Sequence, residues 1–275
     1  MSGFLNVVFL SAAGACCGAV VGSFLNVVIH RLPRLIDSHD GRITAAQYVS
    51  CLSWPPSHCP GCQHQLELRD NVPILSYFGL RGRCRFCRQP YGLRYLVVEL
   101  LTAAAFAYCV AMLGLTPKAF LTALFFAGLM SLTIIDVEEQ LLPDAVLAPL
   151  LCLGLIFNSL YGGGIFAALL GAAAGYSVLW FIRTCYRLYA GIEGLGYGDI
   201  KFASVLGAWV GAGSIPAMFA IAFVTGVVAI LPFSLSGRIE KQAAIPFGPF
   251  LALGGFCAFV LPSLTAMTAR AFFRS

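Results

Sequence analysis

Charged side chains are scarce in this chain. Only 11% of its 275 residues are Asp, Glu, Lys or Arg, compared with roughly 25% in an average soluble domain. Because 59% of the residues are hydrophobic and the mean hydropathy is +0.86, the composition excludes a soluble globular protein. The chain also lacks the ten-residue alternating segments of an outer-membrane barrel. Its apolar runs have the length of helices, so the sequence predicts an all-α polytopic membrane protein.

Apolar stretches of about 20 residues, the length that a helix needs to cross a bilayer, recur along the chain. They predict about eight transmembrane helices, with one long polar segment after the first. We therefore expect a first transmembrane helix at 1–29, a cytoplasmic loop domain at 30–94 and a transmembrane bundle of about seven helices at 95–275. The predicted spans lie near residues 3–29, 95–115, 119–136, 145–161, 165–182, 200–212, 216–233 and 247–263.

Basic residues are concentrated in alternate loops. The segment from Arg31 to Arg94 contains nine Arg, and 14 of the 17 Lys and Arg residues fall on one side of an eight-span topology. Since positively charged loops stay in the cytoplasm, we assign that side to the cytoplasm and both termini to the outside. A seven-span topology would scatter the same residues. The net charge of +5 follows from this distribution and gives no reason to expect nucleic-acid binding.

Four of the 11 cysteines form two C-x-x-C pairs in the long cytoplasmic loop, Cys59 with Cys62 and Cys84 with Cys87. Two such turns place four thiolates around one tetrahedral Zn²⁺, at a spacing just beyond the usual range for zinc sites. A loop of this size buries little apolar surface, so the metal would hold it folded. We predict a structural zinc site.

Other uses of these cysteines fit the sequence less well. A cytoplasmic location argues against disulfides. A thioredoxin-like redox site needs a single C-x-x-C on a βαβ scaffold, and no such pattern is visible. His58 or His64 could replace a thiolate as a metal ligand, but with four Cys present we expect both histidines to be solvated.

Three aspartates lie at predicted cytoplasmic ends of membrane spans, where ionisable side chains indicate function. Asp136 ends the third span, Asp144 opens the fourth after Pro143, and Asp199 opens the sixth within a Gly-Tyr-Gly-Asp run. Helix capping is a sufficient explanation for Asp144 and an alternative for Asp199. It does not explain Asp136, because an acid at a helix C-terminus opposes the macrodipole.

Two common hydrolytic motifs are absent, the H-E-x-x-H of a zinc protease and the G-x-S-x-G nucleophile turn. Two apposed carboxyl groups, one ionised and one protonated, can instead activate water and protonate the carbonyl oxygen of a peptide. Gly194, Gly196 and Gly198 would let an extended substrate approach Asp199. By themselves, these residues fit an aspartyl protease and a proton-coupled transporter equally.

Taken together, the motifs resemble those of the type IV prepilin peptidases. The resemblance covers about residues 14–211, and the motifs follow the family order. They are G-S-F-L-N-V-V-I-H-R-L-P at 22–33, the paired C-x-x-C loop, N-V-P-I-L-S at 71–76, G-R-C at 82–84, R-Y-L-V-V-E at 94–99, the run from Asp136 to the L-P-D that ends at Asp144, and G-Y-G-D-I-K at 196–201.

This resemblance implies an inner-membrane aspartyl protease that removes the short basic leader of type IV prepilins or type II secretion pseudopilins, cutting after Gly at the cytoplasmic face. In the family pattern, Asp136 and Asp199 correspond to the catalytic pair and Asp144 to an auxiliary residue. The resemblance also implies methylation of the new N-terminus with S-adenosylmethionine. No G-x-G-x-x-G fingerprint or βαβ pattern is visible, so the cofactor-binding residues stay unassigned.

The alternative function from another class is a zinc-stapled membrane transporter or assembly factor that uses the Asp pair as a proton relay. The sequence also predicts that the lipid bilayer surrounds most of the chain.

Polar and glycine positions on the first span have structural interpretations. Gly14, Gly18 and Gly22 repeat every four residues, which predicts close approach of another helix. Asn26 must find a hydrogen-bond partner within the bundle.

Three features elsewhere in the chain, Glu99, Lys201 and the segment 245–249, have structural interpretations. Glu99, about one turn inside the second span, is either a snorkelling helix-end residue or a substrate or cofactor contact. Lys201 is two residues from Asp199, a spacing that does not bring side chains together on a helix, so we expect it to anchor the topology. The segment 245–249 is expected to be the turn into the last span.

Overall fold

The computed structural model describes residues 2–39, 43–59, 61–192, 194–235 and 246–261. Within these ranges the chain is helical and forms no β-strand, only two isolated bridges. Short 3₁₀ turns occur at Leu68–Asp70 and Ala212–Ser214. The helices are α1 (Ser2–Ser38), α2 (Ala45–Ser53), α3 (Leu75–Gly79), α4 (Leu93–Leu113), α5 (Pro117–Glu139), α6 (Asp144–Tyr161), α7 (Ile165–Ala190), α8 (Tyr197–Val210), α9 (Ile215–Leu235) and α10 (Gly248–Val260).

Six helical segments in the described ranges are long and apolar enough to cross a membrane. They lie in α1, α4, α5, α6, α7 and α9, and they establish a multi-pass helical membrane protein. The helix α8, with 14 residues, and the apolar helix α10, with 13, cover the sixth and eighth predicted spans but are shorter. The predicted number of eight crossings therefore stays a prediction.

Helix α1 extends beyond the expected end of the first span at residue 29 and continues to Ser38. Its last turns carry Arg31 and Arg34. The predicted span stopped before these residues because their charge lowers the local hydropathy. Arg31 donates hydrogen bonds to the backbone carbonyls of Cys51 at 2.8 Å and Pro55 at 2.7 Å. The helix thus continues past its apolar part, and its polar end binds the loop that follows.

The chain divides into two compact units, residues 1–131 and 132–275. This division does not test the predicted three segments, which remain a proposal. In the first unit, α1 packs along α4. A Cβ on Gly18 would lie 2.6 Å from the carbonyl oxygen of Thr102, and one on Gly22 would lie 2.8 Å from the Cα of Glu99. The predicted close approach at the glycine repeat is confirmed.

Two polar side chains also connect elements within the first unit. The amide of Asn26 on α1 donates to the carbonyl of Tyr95 on α4 at 3.0 Å, so this asparagine has the partner that was expected. The carboxylate of Glu99 accepts the backbone N–H of Ile74 at 2.7 Å. Glu99 is therefore held by the preceding loop, and a snorkelling side chain is not the right description.

In the second unit, α8 packs against α6, α7 and α10. Glycine permits the closest of these approaches, because a Cβ on Gly171 or Gly175 of α7 would overlap the backbone of α8. The far end of α8 is fixed by α6. Asn158 donates to the carbonyls of Ala208 at 2.6 Å and Trp209 at 2.9 Å, and the Trp209 indole N–H donates to Leu150 at 2.8 Å.

Candidate active site and metal centre

Asp136 lies one turn before the end of α5 and is almost completely enclosed, with 5% of its surface exposed. Its Oδ2 accepts a hydrogen bond of 2.8 Å from the backbone N–H of Gly248, the first residue of α10. A buried carboxyl group needs such a partner, since an unpaired one is costly. The neighbour comes from a segment that the sequence indicated only as a turn.

Asp199 occupies the third position of α8, whose N-cap residue is Gly196. The Gly196 backbone hydrogen-bonds the Asp199 carboxylate, which is the arrangement of a capping carboxylate. The charge of Asp136 acts on Asp199 through space. The second unit therefore brings together the two aspartates that the sequence singled out, and the capping interpretation of Asp199 holds at the same time.

Asp144 is the first residue of α6, directly after the N-cap residue Pro143, so its carboxylate lies in the first turn of the helix. Both of its carboxylate oxygens accept hydrogen bonds of 2.8 Å from the ammonium of Lys201 on α8. The expectation that Lys201 only anchors the topology is therefore incomplete, because its side chain joins α8 to the start of α6.

The glycines near Asp199 mostly have neighbours inside the protein. A Cβ on Gly194 would meet the ring of Tyr186, and one on Gly198 would lie 3.1 Å from the Cβ of Leu142. Only Gly196 faces the Asp199 carboxylate, with 3.1 Å between its Cβ position and Oδ2. Packing explains Gly198, since it lets the loop before Asp144 lie against α8.

The four paired cysteines form one cluster. All four Sγ atoms lie within 4.8 Å of one another, with 3.7 Å between Cys59 and Cys87 and 3.9 Å between Cys62 and Cys84. A tetrahedral ion with metal–sulfur bonds of about 2.3 Å requires sulfurs roughly 3.8 Å apart. The spacing fits a four-thiolate metal site and is far longer than a disulfide bond of about 2 Å.

The two C-x-x-C pairs have the same backbone conformation. In the first, the N–H of Cys59 donates to the carbonyl of His64 and the N–H of Gln63 donates to the carbonyl of Cys59. In the second, the corresponding bonds run from Cys84 to Gln89 and from Arg88 to Cys84.

Equivalent residues of the two turns are 25 positions apart in the chain, as Cys59 and Cys84 are. Gln63 and Arg88 have left-handed φ values of 58° and 57°. The cysteine cluster is thus built from two turns of the same backbone conformation.

The four thiols of the cluster do not share one electrostatic environment. Backbone hydrogen bonds from Cys87 and Phe86 lower the pKa of the Cys84 thiol to about 6, and a metal ligand must be deprotonated. A backbone hydrogen bond from Gln89 lowers the pKa of Cys87, but burial and the neighbouring thiols outweigh it and raise that pKa to about 11. Beside the cluster, Arg85 donates to the buried carboxylate of Asp70 at 2.8 Å through Nε. The residues present therefore fit a metal ion.

Neither candidate histidine belongs to the four-ligand group in the described ranges. The ring of His64 lies against that of Phe86, with 3.5 Å between centroids and an angle of 39° between the ring planes. His58 is exposed and contacts the carbonyl of Pro56 at 3.4 Å. In the described ranges, the four thiols alone form the cluster that could hold a metal.

Comparisons with known proteins agree with this arrangement. A family profile described as "Bacterial Peptidase A24 N-terminal domain" matches residues 16–113, and one described as "Type IV leader peptidase family" matches residues 123–231. The first match contains the four cysteines, and the second contains Asp136, Asp144, Asp199 and Lys201.

Several relatives are similar over most of their length, and each bears the name prepilin leader peptidase/N-methyltransferase. The protein of Burkholderia pseudomallei strain 1026b is 43% identical over 253 residues, which cover 86% of this chain and 81% of that protein. That of Dickeya chrysanthemi is 40% identical over 260 residues, covering 89% and 90%. That of Pseudomonas aeruginosa is 38% identical over 254 residues, covering 88% and 87%. No solved structure matches the chain.

Proposed function

This chain belongs to the type IV leader peptidase family, and we propose that it cleaves the leader of type IV prepilins or type II secretion pseudopilins and then methylates the new N-terminus. It does so as an aspartyl endopeptidase that cuts after Gly. The observation that carries the proposal is that Asp136 on α5 and Asp199 on α8 lie close enough for their charges to interact, inside the matched segment 123–231.

The proposed hydrolysis uses the two carboxyl groups in different protonation states. The ionised one takes a proton from a water molecule that attacks the scissile carbonyl carbon, and the protonated one donates to the carbonyl oxygen. When the tetrahedral intermediate collapses, the new amine leaves with a proton from the dyad. Asp136 and Asp199 perform these roles, and Asp144 supports them through Lys201.

We further propose that Zn²⁺ is the ion held by Cys59, Cys62, Cys84 and Cys87, and that it is structural. A closed site with four thiolates leaves no open position for a substrate. Zinc here would stabilise the fold of the loop and would take no part in proteolysis.

The methyl donor in this proposal is S-adenosylmethionine, which supplies the methyl group for the new N-terminal amine. Support comes from the names of the relatives. The described residues contain no βαβ nucleotide fold, so no residue of this chain is assigned to the cofactor and no step is derived through it.

The proposed location is the bacterial inner membrane, with the dyad at the cytoplasmic face. The distribution of Arg and Lys supports that orientation. The partners are the prepilin or pseudopilin substrates and the surrounding lipid.

Intact mass measurement on purified components tests this function directly. The detergent-solubilised protein, incubated with one prepilin and no ion gradient, should release the leader. Addition of S-adenosylmethionine should then add one methyl group to the mature product. An uncleaved prepilin, together with solute or proton flux in proteoliposomes, would favour the transporter alternative and overturn the proposal.

A further inference from the structure

Gly248, which the sequence indicated only as part of a turn, contacts the Asp136 carboxylate. It begins α10, and it lies 112 positions away from Asp136 in the chain. The hydrogen bond from its N–H to Oδ2, at 2.8 Å, is buried. One carboxylate oxygen of Asp136 is therefore engaged by the backbone of a helix that carries none of the family's carboxylates.

A side chain at position 248 would have to displace the Asp136 carboxylate or the start of α10. A Cβ added there would lie 2.6 Å from Oδ2 and 2.9 Å from Cγ of Asp136. Such distances are well inside van der Waals contact, which begins near 3.5 Å. The approach of the carboxylate, and not the backbone conformation of Gly248, causes this crowding.

The electrostatics of the two helix ends explain how Asp136 is accommodated. Asp136 lies in the last turns of α5, where the carbonyl dipoles of its own helix disfavour a negative charge. The N-terminus of α10 has the opposite polarity, and its first N–H points at the carboxylate. The N-terminus of α10 thus offsets the unfavourable field that α5 exerts on the Asp136 carboxylate.

We propose that Gly248 is a positioning residue for proteolysis, whose N–H fixes Oδ2 of Asp136 so that Oδ1 is the oxygen available for proton exchange with water and with the Asp199 side of the site. The inference rests on the proposed function, because it assumes that Asp136 is catalytic. It assigns a part of the active site to α10, which lies outside the matched segment 123–231.

The variant Gly248→Ala tests this role. We expect kcat for prepilin cleavage to fall roughly 10- to 100-fold, because a hydrogen bond to a charged group contributes about 1.5–3 kcal/mol. The KM should change little, since the substrate does not contact this N–H.

Two alanine variants serve as matched controls. Gly255→Ala, on the same helix, places its Cβ 2.6 Å from Leu206 Cδ2, so it produces a similar overlap away from any carboxylate. Gly226→Ala, on α9, meets nothing closer than 3.6 Å. Gly226→Ala should cleave at the wild-type rate, and Gly255→Ala should retain more activity than Gly248→Ala. Equal losses of kcat in Gly248→Ala and Gly255→Ala would overturn the proposal.

A double-mutant cycle keeps the test valid if Gly248→Ala is unstable. The destabilisation caused by Gly248→Ala, measured by thermal unfolding, should shrink when Asp136→Ala has removed the carboxylate. The same destabilisation in both backgrounds would contradict the contact and the positioning role.

The single variant Asp136→Asn separates the inference from the function on which it rests. If Asp136→Asn cleaves normally, the proposed catalytic pair is wrong and the positioning role falls with it. If Asp136→Asn is inactive while Gly248→Ala has full kcat, only the positioning role is wrong.

Discussion

The ammonium of Lys201 binds both carboxylate oxygens of Asp144, although 57 positions separate the two residues. This pair joins the first residue of α6 to the second turn of α8, the helix that carries Asp199. Asp144 thus links the start of α6 to α8, and this link supports the proposal that Asp144 is an auxiliary residue.

Removal of the Lys201–Asp144 pair should slow cleavage without unfolding the protein. The side chains are 39% and 61% exposed, and exposed ion pairs contribute about 0.2–1 kcal/mol. We expect Asp144→Asn and Lys201→Met each to lower kcat several-fold and to change the unfolding midpoint little. The double variant should be no slower than the slower single variant, because both act through one contact. Strictly multiplicative losses would show that the two residues act independently.

Loss of either member of the catalytic pair should stop proteolysis. Because one carboxyl group cannot act as both acid and base, Asp136→Asn and Asp199→Asn should each reduce prepilin cleavage by roughly 10²- to 10⁴-fold. Product is measured by mass spectrometry, and membrane insertion and thermal unfolding confirm that each variant is folded. An inactive Asp144→Asn beside an active Asp136→Asn would mean that the first catalytic residue is Asp144.

Freshly purified protein should contain about one zinc ion per chain. Cys59→Ser and Cys84→Ser each remove one thiolate of the cluster and should lower the zinc content sharply, as measured by elemental analysis. Cys152→Ser, on α6, is the matched control and should retain the metal. Wild-type protein without zinc, or cluster variants with unchanged zinc, would contradict the structural-metal proposal.

Methylation should survive the loss of proteolysis. If S-adenosylmethionine binds away from the carboxylates, Asp199→Asn should still methylate a pre-cleaved pilin with a free N-terminal amine, since that step needs neither the acid nor the base of the protease. Methyl transfer is followed by mass, and cofactor binding is measured on the same variant. Bound cofactor and bound peptide without transfer would indicate one shared site for both reactions.

The features that the sequence predicted correctly are those with a local signal. Apolar runs indicated the helices, the two C-x-x-C pairs indicated the cysteine cluster, and the motif around Asp199 indicated the start of α8. Helix α1 is longer than predicted. Hydropathy detects only the apolar part of a helix, and the chain remains helical through Arg31 and Arg34.

The pairings within the site had no such signal. Lys201 with Asp144 and Gly248 with Asp136 join positions that are 57 and 112 residues apart. Periodicity along one helix contains no information on which residue of another helix will face it. Gly248 in particular was indistinguishable from an ordinary turn residue until the packing of α10 was known.

Helix α8 is too short to cross a bilayer by itself. Its 14 residues rise about 21 Å, whereas the hydrocarbon layer of a typical bilayer is about 30 Å thick. The helices α6, α7 and α10 pack around α8, and Ile200, Phe202, Leu206 and Trp209 on it are buried in protein. The depth of Asp199, on the first turn of α8, is therefore set by the neighbouring helices and not by direct contact with lipid.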